Sequence, residues 1–472
     1  MDYLEQLEKH NWILTDRAVR VISSLSLTLL PAILTLLLLD CFDSYLISRF
    51  YPELLLAQGF TVPVSHFLFS LNVCLSIAVV ACVSKAVGEK DFDKSRYLIS
   101  HSLLISAFFA LFVSLFLFSV NDRLFDGLGL SSLELSALKR TDTREQITSY
   151  MFLRYLAFIP SLLSLTAISV FRAVAQVKLA SVLLCVWALL SMSLDYLLVL
   201  GFELGPFKQE AMALVGVGWG HLISNTFICV VCFYLLLRKK YLVFSVRNFG
   251  SNIRAVSYVA LPSFLTNVSL PLVLSVLTAL AARSGASSVA SFGLVSRLEP
   301  FLLIVPMVFS VALPVFVGQN WAAGLKARTI NVVLSCLHFV LWLQLGLAFV
   351  LYLFSYQLSE QFGTELDVQV LVRCYLISVP VSLCGLGVAI VSSSVLNAMG
   401  HSFSAFLLSI VRVFFCVLPS SLAGYYLADM PGLYAGIAFG YMLSGLVSYC
   451  FMKKIMIVTR EDKELSFYKF AL

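Results

Sequence analysis

Apolar stretches of roughly 20 residues follow one another along nearly the whole chain. An α-helix rising 1.5 Å per residue needs about 20 residues to cross a hydrocarbon core about 30 Å thick. Reading these stretches between polar breaks gives candidate spans at 20–47, 58–84, 97–120, 147–171, 178–201, 212–237, 254–281, 287–316, 329–355, 368–396, 402–427 and 431–452. A soluble globular fold is excluded, because only 12% of the residues are charged, about half the share an ordinary soluble domain carries. Nothing alternates in the short strands of a barrel, so the expected fold is all-α and polytopic, with twelve transmembrane helices.

An even number of spans puts both ends on one side. Lys and Arg crowd the loops of that side, which places both termini in the cytoplasm by the positive-inside bias. The first twenty residues are charged throughout and lead into a span without a small-residue cleavage site, so no removable leader is expected. The eleven Cys lie mostly inside spans and read as small apolar packing residues, with no Cys-x-x-Cys or Cys/His metal spacing and no metal site expected.

Self-similarity appears at about half the chain length. LLPAILT at 29–35 resembles ALPSFLT at 260–266, which sets Pro31 opposite Pro262 at an offset of 231. Gly59 falls opposite Gly293, AVGEKDFDKSR at 86–96 opposite AAGLKAR at 322–328, and FRAVA at 171–175 opposite LNAMG at 396–400. Each pair holds the same place in its half, so two six-helix bundles related by a parallel internal repeat are expected: a first lobe over 1–237, a cytoplasmic linker over 238–254 and a second lobe over 255–472. Transporters so built place substrate near the midplane, between the repeats.

The segments LDCFDSYLISRFYPELLLAQGFTVP, VSKAVGEKDFDKS, FRAVAQVK, LDYLLVLG followed by LVGVGWGHLIS, ALPSFLTNVSLPL, SFGLVSRLEPF, LPVFVGQNWAAG and SVLNAMG touch nearly every span. In order and spacing the chain resembles the MATE (multidrug and toxic compound extrusion) transporters of the MOP flippase superfamily. It looks most like their bacterial DinF-like branch, with 260–324 the most specific stretch. The resemblance implies the MATE fold, no enzymatic activity and secondary antiport across the bacterial inner membrane. It also carries over a protonation or ion site formed by Asp43 and Asp195. This chain has Ser191 where the family often has Asn, and His221 where a small hydroxyl residue is common.

Ionisable side chains inside a bilayer cost at least about 2.5 kcal/mol by insertion scales and mark functional sites by default. The survey picks out Asp40 and Asp43 in the first span, Asp195 in the fifth, Arg297 and Glu299 in the eighth and Arg412 in the eleventh, with Arg297 and Arg412 read as the intramembrane bases. Ser191 lies one turn before Asp195, on the same face. A carboxyl group withdrawn from water keeps its proton until a cation arrives, so proton and cationic substrate can compete for one charge. A neighbouring histidine could tune that exchange or pass a proton. The bland alternatives are that Asp40 only supports Asp43, that His221 and Arg412 pack, and that Glu299 partners a base instead of lining a cavity.

The repeat sets Asp40 and Asp43 opposite Pro271 and Leu274, and the second lobe offers Asn267 and the outer-edge Asp367 instead of an acid pair. Protons are therefore favoured over sodium as the coupling ion. No phosphate-binding loop for ATP is present and no organic cofactor is expected. The expected substrate is an organic cation or amphipathic compound, handled by a monomer in membrane lipid with no nucleic-acid partner. A flippase for a lipid-linked glycan would want a strongly basic cleft, and a lipid-modifying enzyme would want a polar catalytic cluster at one interface. Neither is legible.

Overall fold

A peptide group inside hydrocarbon has no water to bond, so a spanning chain must satisfy its backbone within its own helices. The computed structural model describes residues 12–127, 137–204, 207–243, 245, 247–362 and 366–470, and nearly all are helical. The helices are α1 (Trp12–Thr15), α2 (Ala18–Phe50), α3 (Leu55–Gly88), α4 (Phe92–Gly127), α5 (Ala137–Ala173), α6 (Val177–Leu200), α7 (Ala213–Arg238) and α8 (Phe249–Arg283). They continue as α9 (Ala286–Leu302), α10 (Ile304–Ala322), α11 (Lys326–Leu353), α12 (Ser355–Phe362), α13 (Leu366–Ala398), α14 (Ser402–Ile410) and α15 (Leu418–Phe470). Between α6 and α7 a small antiparallel pair joins Phe202–Leu204 to Phe207–Gln209.

Among the described residues eleven helices are long and apolar enough to cross a membrane. The last of them breaks at Ala428 and Asp429 into two crossings, which restores the twelve spans expected. Two spans differ from expectation. The run 287–316, read as one helix, is α9 and α10 turned at Leu303. Pro306 has no N–H to give the Leu302 carbonyl, and that carbonyl instead accepts the Gln344 side-chain amide at 3.0 Å. The run 402–427 is interrupted by a seven-residue π-helical stretch, Val411–Val417. Several prolines carry a hydroxyl one turn later that bonds back to the proline's own carbonyl: Thr35 to Pro31, Ser164 to Pro160, Thr266 to Pro262 and Ser275 to Pro271. Such back-bonds accompany helix bends.

Polarity runs opposite to that of a soluble helix. On α4 the large apolar residues Phe108, Phe112, Leu115 and Phe116 are exposed, whereas Ser102, Ser106, Ser114 and Asn121 are buried. The buried side is knitted by polar bonds, Ser106 to Thr166 at 2.8 Å, Ser114 to the Tyr155 carbonyl at 2.8 Å, and the Tyr155 hydroxyl to Asn121 at 3.0 Å. With lipid outside, such bonds and close packing hold helices together in place of a hydrophobic driving force.

The chain forms two compact units. The described residues of unit 1 fall in Pro31–Val79 and Phe92–Ser257, and those of unit 2 in Asn11–Leu30, Val80–Asp91 and Tyr258–Leu472. Residues 238–254 belong to unit 1, where the buried His101 bonds the Ser245 carbonyl at 2.8 Å and Asn252 at 2.9 Å. In unit 2 the start of α11 holds α1, because the Arg328 guanidinium donates to the Ile13, Leu14 and Asp16 carbonyls. The two crossings of α15 pack through glycines: a Cβ at Gly436 would lie 2.2 Å from the Ser420 carbonyl oxygen, and one at Gly432 would meet Gly424. All eleven cysteines are free, and, against expectation, Cys229 and Cys232 on α7 stand at Cys-x-x-Cys spacing.

Gly436→Ala should destabilise the detergent-purified protein by about 1–3 kcal/mol, since the new methyl meets backbone that cannot step aside. Gly346→Ala, in mid-α11 with open space around it, should be neutral or stabilising by up to about 1 kcal/mol. Thermal unfolding of the two variants side by side checks the contrast; equal midpoints would refute the close approach.

Candidate functional site

Three helices of unit 1 bring the strongest candidates together. Asp43 comes from α2, Ser191 and Asp195 lie one turn apart on α6, and His221 comes from α7. Helices α6 and α7 lie close because α7 presents glycine toward its neighbour. A Cβ at Gly216 would stand 2.8 Å from the Leu198 backbone, and one at Gly220 would stand 1.9 Å from Asp195 Oδ1. The Asp195 carboxylate thus fills the space that a side chain at position 220 would take.

His221 Nε2 and Asp43 Oδ2 are hydrogen-bonded at 3.0 Å, and the Ser191 hydroxyl donates to Asp195 Oδ2 at 3.2 Å. One ligand atom from each of Asp43, Asp195 and His221 lies within 4.8 Å of the other two. Asp195 is fully buried, and the side chains of His221 and Asp43 are only 10% and 14% exposed. Oδ1 of Asp43 and Oδ1 of Asp195 each lack a donor from the chain. Two ionised carboxylates at this separation repel by about 3–4 kcal/mol at an effective dielectric of about 20. A single proton or cation held between them removes that cost. The three groups could equally serve as ligands to a metal ion, although an imidazole suits a transition metal better than a hard alkali cation.

The charge survey missed two residues of α5, of which one, Arg154, stands beside this cluster. The Arg154 guanidinium lies 5.9 Å from the centre of the Tyr150 ring, one turn away on α5, and interacts electrostatically with Asp195. Arg154 sits well inside the span Arg144–Ala173, so its position in the fourth apolar run was the available signal. Arg172, at the end of the same span, is buried and donates to Ser76 and Ser169 at 2.6 and 2.8 Å. The intramembrane bases are therefore more than Arg297 and Arg412.

The remaining candidates are not members of the cluster. Asp40 is exposed on α2. In unit 2, Asn267 bonds back to the Ser263 carbonyl of its own helix at 2.7 Å, and Arg297 is exposed. Glu299, two residues on, turns inward, and its two carboxylate oxygens accept the hydroxyls of Tyr375 at 3.2 Å and Tyr441 at 3.0 Å. Arg412 is buried within the π-helical stretch.

The MatE family model matches residues 31–197 and 262–422, and its two stretches begin at the paired prolines of the repeat. The FAD transporter of Shewanella oneidensis is 26% identical over 440 residues, 92% of this chain and 94% of that protein. The multidrug export protein MepA of Staphylococcus aureus is 22% identical over 380 residues, 78% of this chain and 77% of that protein. The crystal structure of the Vibrio cholerae MATE transporter VcmN in the bent form superposes with a TM-score of 0.84 at 24% identity, covering 93% of this chain and 97% of that one.

Gly220→Ala should cost about 1–3 kcal/mol of stability in the native background and less than about 0.5 kcal/mol when combined with Asp195→Ala, which removes the atom the methyl would strike. A double-mutant cycle by thermal unfolding measures the coupling. Additive costs would mean that Asp195 does not lie over position 220.

Proposed function

Because this chain belongs to the MatE family of membrane transporters, we propose that it exports organic cations or amphipathic compounds in exchange for protons, with Asp43, Asp195 and His221 as the coupling site. The observation that carries this reading is the convergence of two carboxylates and an imidazole, from three helices, in the buried interior of unit 1. Charge at such a depth is kept where it is used.

A proton taken up at the pair relieves the repulsion between the carboxylates, and a proton also occupies the His221–Asp43 hydrogen bond whichever partner donates it. An arriving cation supplies the same relief, so the proton is free to leave. Binding of one excludes the other, and exchange follows. An imidazole can both take and give a proton at its ring nitrogens, so His221 can pass one to or from Asp43. The histidine is also the reason for preferring protons to sodium, since a hard alkali ion takes oxygen ligands and gains little from a ring nitrogen. Ser191 holds the Asp195 carboxylate toward the pair, and Arg154 adds a counter-charge that keeps two acids in one apolar site. In this reading both termini face the cytoplasm of a bacterial cell and the protein works as a monomer.

A second substrate class is favoured by one observation: the relative aligned over 94% of its own length is named a FAD transporter. In that reading the exported solute is a dinucleotide, with the same coupling site.

Inverted vesicles with an imposed proton gradient separate these readings. Wild type should accumulate ethidium under the proton gradient and not under a sodium gradient alone. Asp43→Asn and Asp195→Asn should each lower the rate by about tenfold or more, more than about 1.4 kcal/mol of lost coupling. Undiminished transport by both variants would remove the cluster from the mechanism; FAD transport without ethidium transport would select the second class.

A further inference from the structure

Unit 2 contains a second polar interior, and it differs in kind from the first. Its acid is satisfied within the chain, because both oxygens of Glu299 accept tyrosine hydroxyls, from Tyr375 on α13 and Tyr441 on α15. Its base is not. Arg412 is 8% exposed and has no hydrogen bond or ion pair among the described residues. It interacts electrostatically with the Tyr441 hydroxyl, which donates to Glu299 and makes no hydrogen bond to Arg412 among the described residues. A largely buried guanidinium whose five donors meet no acceptor from the chain is left to water or to a ligand.

The backbone points the same way. Arg412 lies at the second position of the π-helical stretch Val411–Val417. Such stretches are rare, and they concentrate at functional sites because the extra residue per turn re-aims the side chains it carries. The neighbours Val413 and Val417 pack into the core of unit 2 with Tyr375, Tyr434 and Tyr441. The irregular turn is thereby fixed while Arg412 keeps its donors unspent.

We propose that Arg412 is the centre of a second binding site, within unit 2, that takes the phosphate group of a phosphate ester. The guanidinium is planar and presents paired N–H groups that match two oxygens of a phosphate at once. The site goes beyond the proton exchange assigned to unit 1 and rests only on the chain being a transporter.

The test is equilibrium binding in a neutral detergent, followed by flavin fluorescence, with riboflavin 5′-phosphate and riboflavin as probes that differ by one phosphate. Wild type should bind the phosphate ester at least about tenfold more tightly than riboflavin, and inorganic pyrophosphate should compete with it. Arg412→Gln should erase the preference, and Arg412→Lys should retain part of it. Micelles doped with phosphatidylglycerol reveal the source of the phosphate. If they displace the probe from wild type and not from Arg412→Gln, a lipid headgroup is the occupant; if they leave it bound, a soluble ester is. Equal wild-type affinity for the two flavins overturns the proposal without any variant, and so does a preference that survives Arg412→Gln. No gradient is involved, so this failure is separable from failure of proton coupling. Asp43→Asn should keep the phosphate preference.

Discussion

Everything in this structure answers to the shortage of hydrogen-bond partners inside hydrocarbon. A helix satisfies its own backbone, but prolines and serines, two carboxylates and several guanidiniums must find partners from one another. The result is a chain turned inside out relative to a soluble protein, with phenylalanines outward and hydroxyls inward along α4. Where the helix itself is broken the repair is local and specific. The Gln344 amide covers the carbonyl that Pro306 orphans, and Arg328 covers the three carbonyls at the end of α1.

The same shortage gives the interior of unit 1 its chemistry. Asp43, Asp195 and His221 are joined to each other, to Ser191 and to the nearby Arg154 and Tyr150, so each change of protonation is felt by the whole cluster. Unit 2 resolves its polar content differently. Tyrosines there take up both oxygens of the acid, and the base Arg412 is left without a hydrogen bond among the described residues.

Much of the fold was legible because span length and repeat are one-dimensional signals. The two family matches begin at Pro31 and Pro262, the pair found by comparing the chain with itself. The approach of Asp43, Asp195 and Ser191 was foreseen from a resemblance and from helical spacing. What the sequence could not show was contact between helices. The bond from His221 to Asp43 depends on how α7 lies on α6, and that depends on glycines whose neighbours are invisible in one dimension. Arg154 was overlooked although it lies well inside the fourth apolar run. The turn at Leu303 and the π-helical stretch depend on which side chains stand ready to cover a freed carbonyl, and on tertiary packing.

The turn at Leu303 has a consequence for how such a chain can drift over generations. Pro306 and Gln344 are distant in sequence yet answer for the same carbonyl. A descendant that lost only the proline would regain the helical N–H and leave a buried amide idle, while one that lost only the glutamine would strand the carbonyl. Each single step is worse than both together, so the bend is held by inheritance as well as by mechanics, and the two positions should change hands as a pair or not at all.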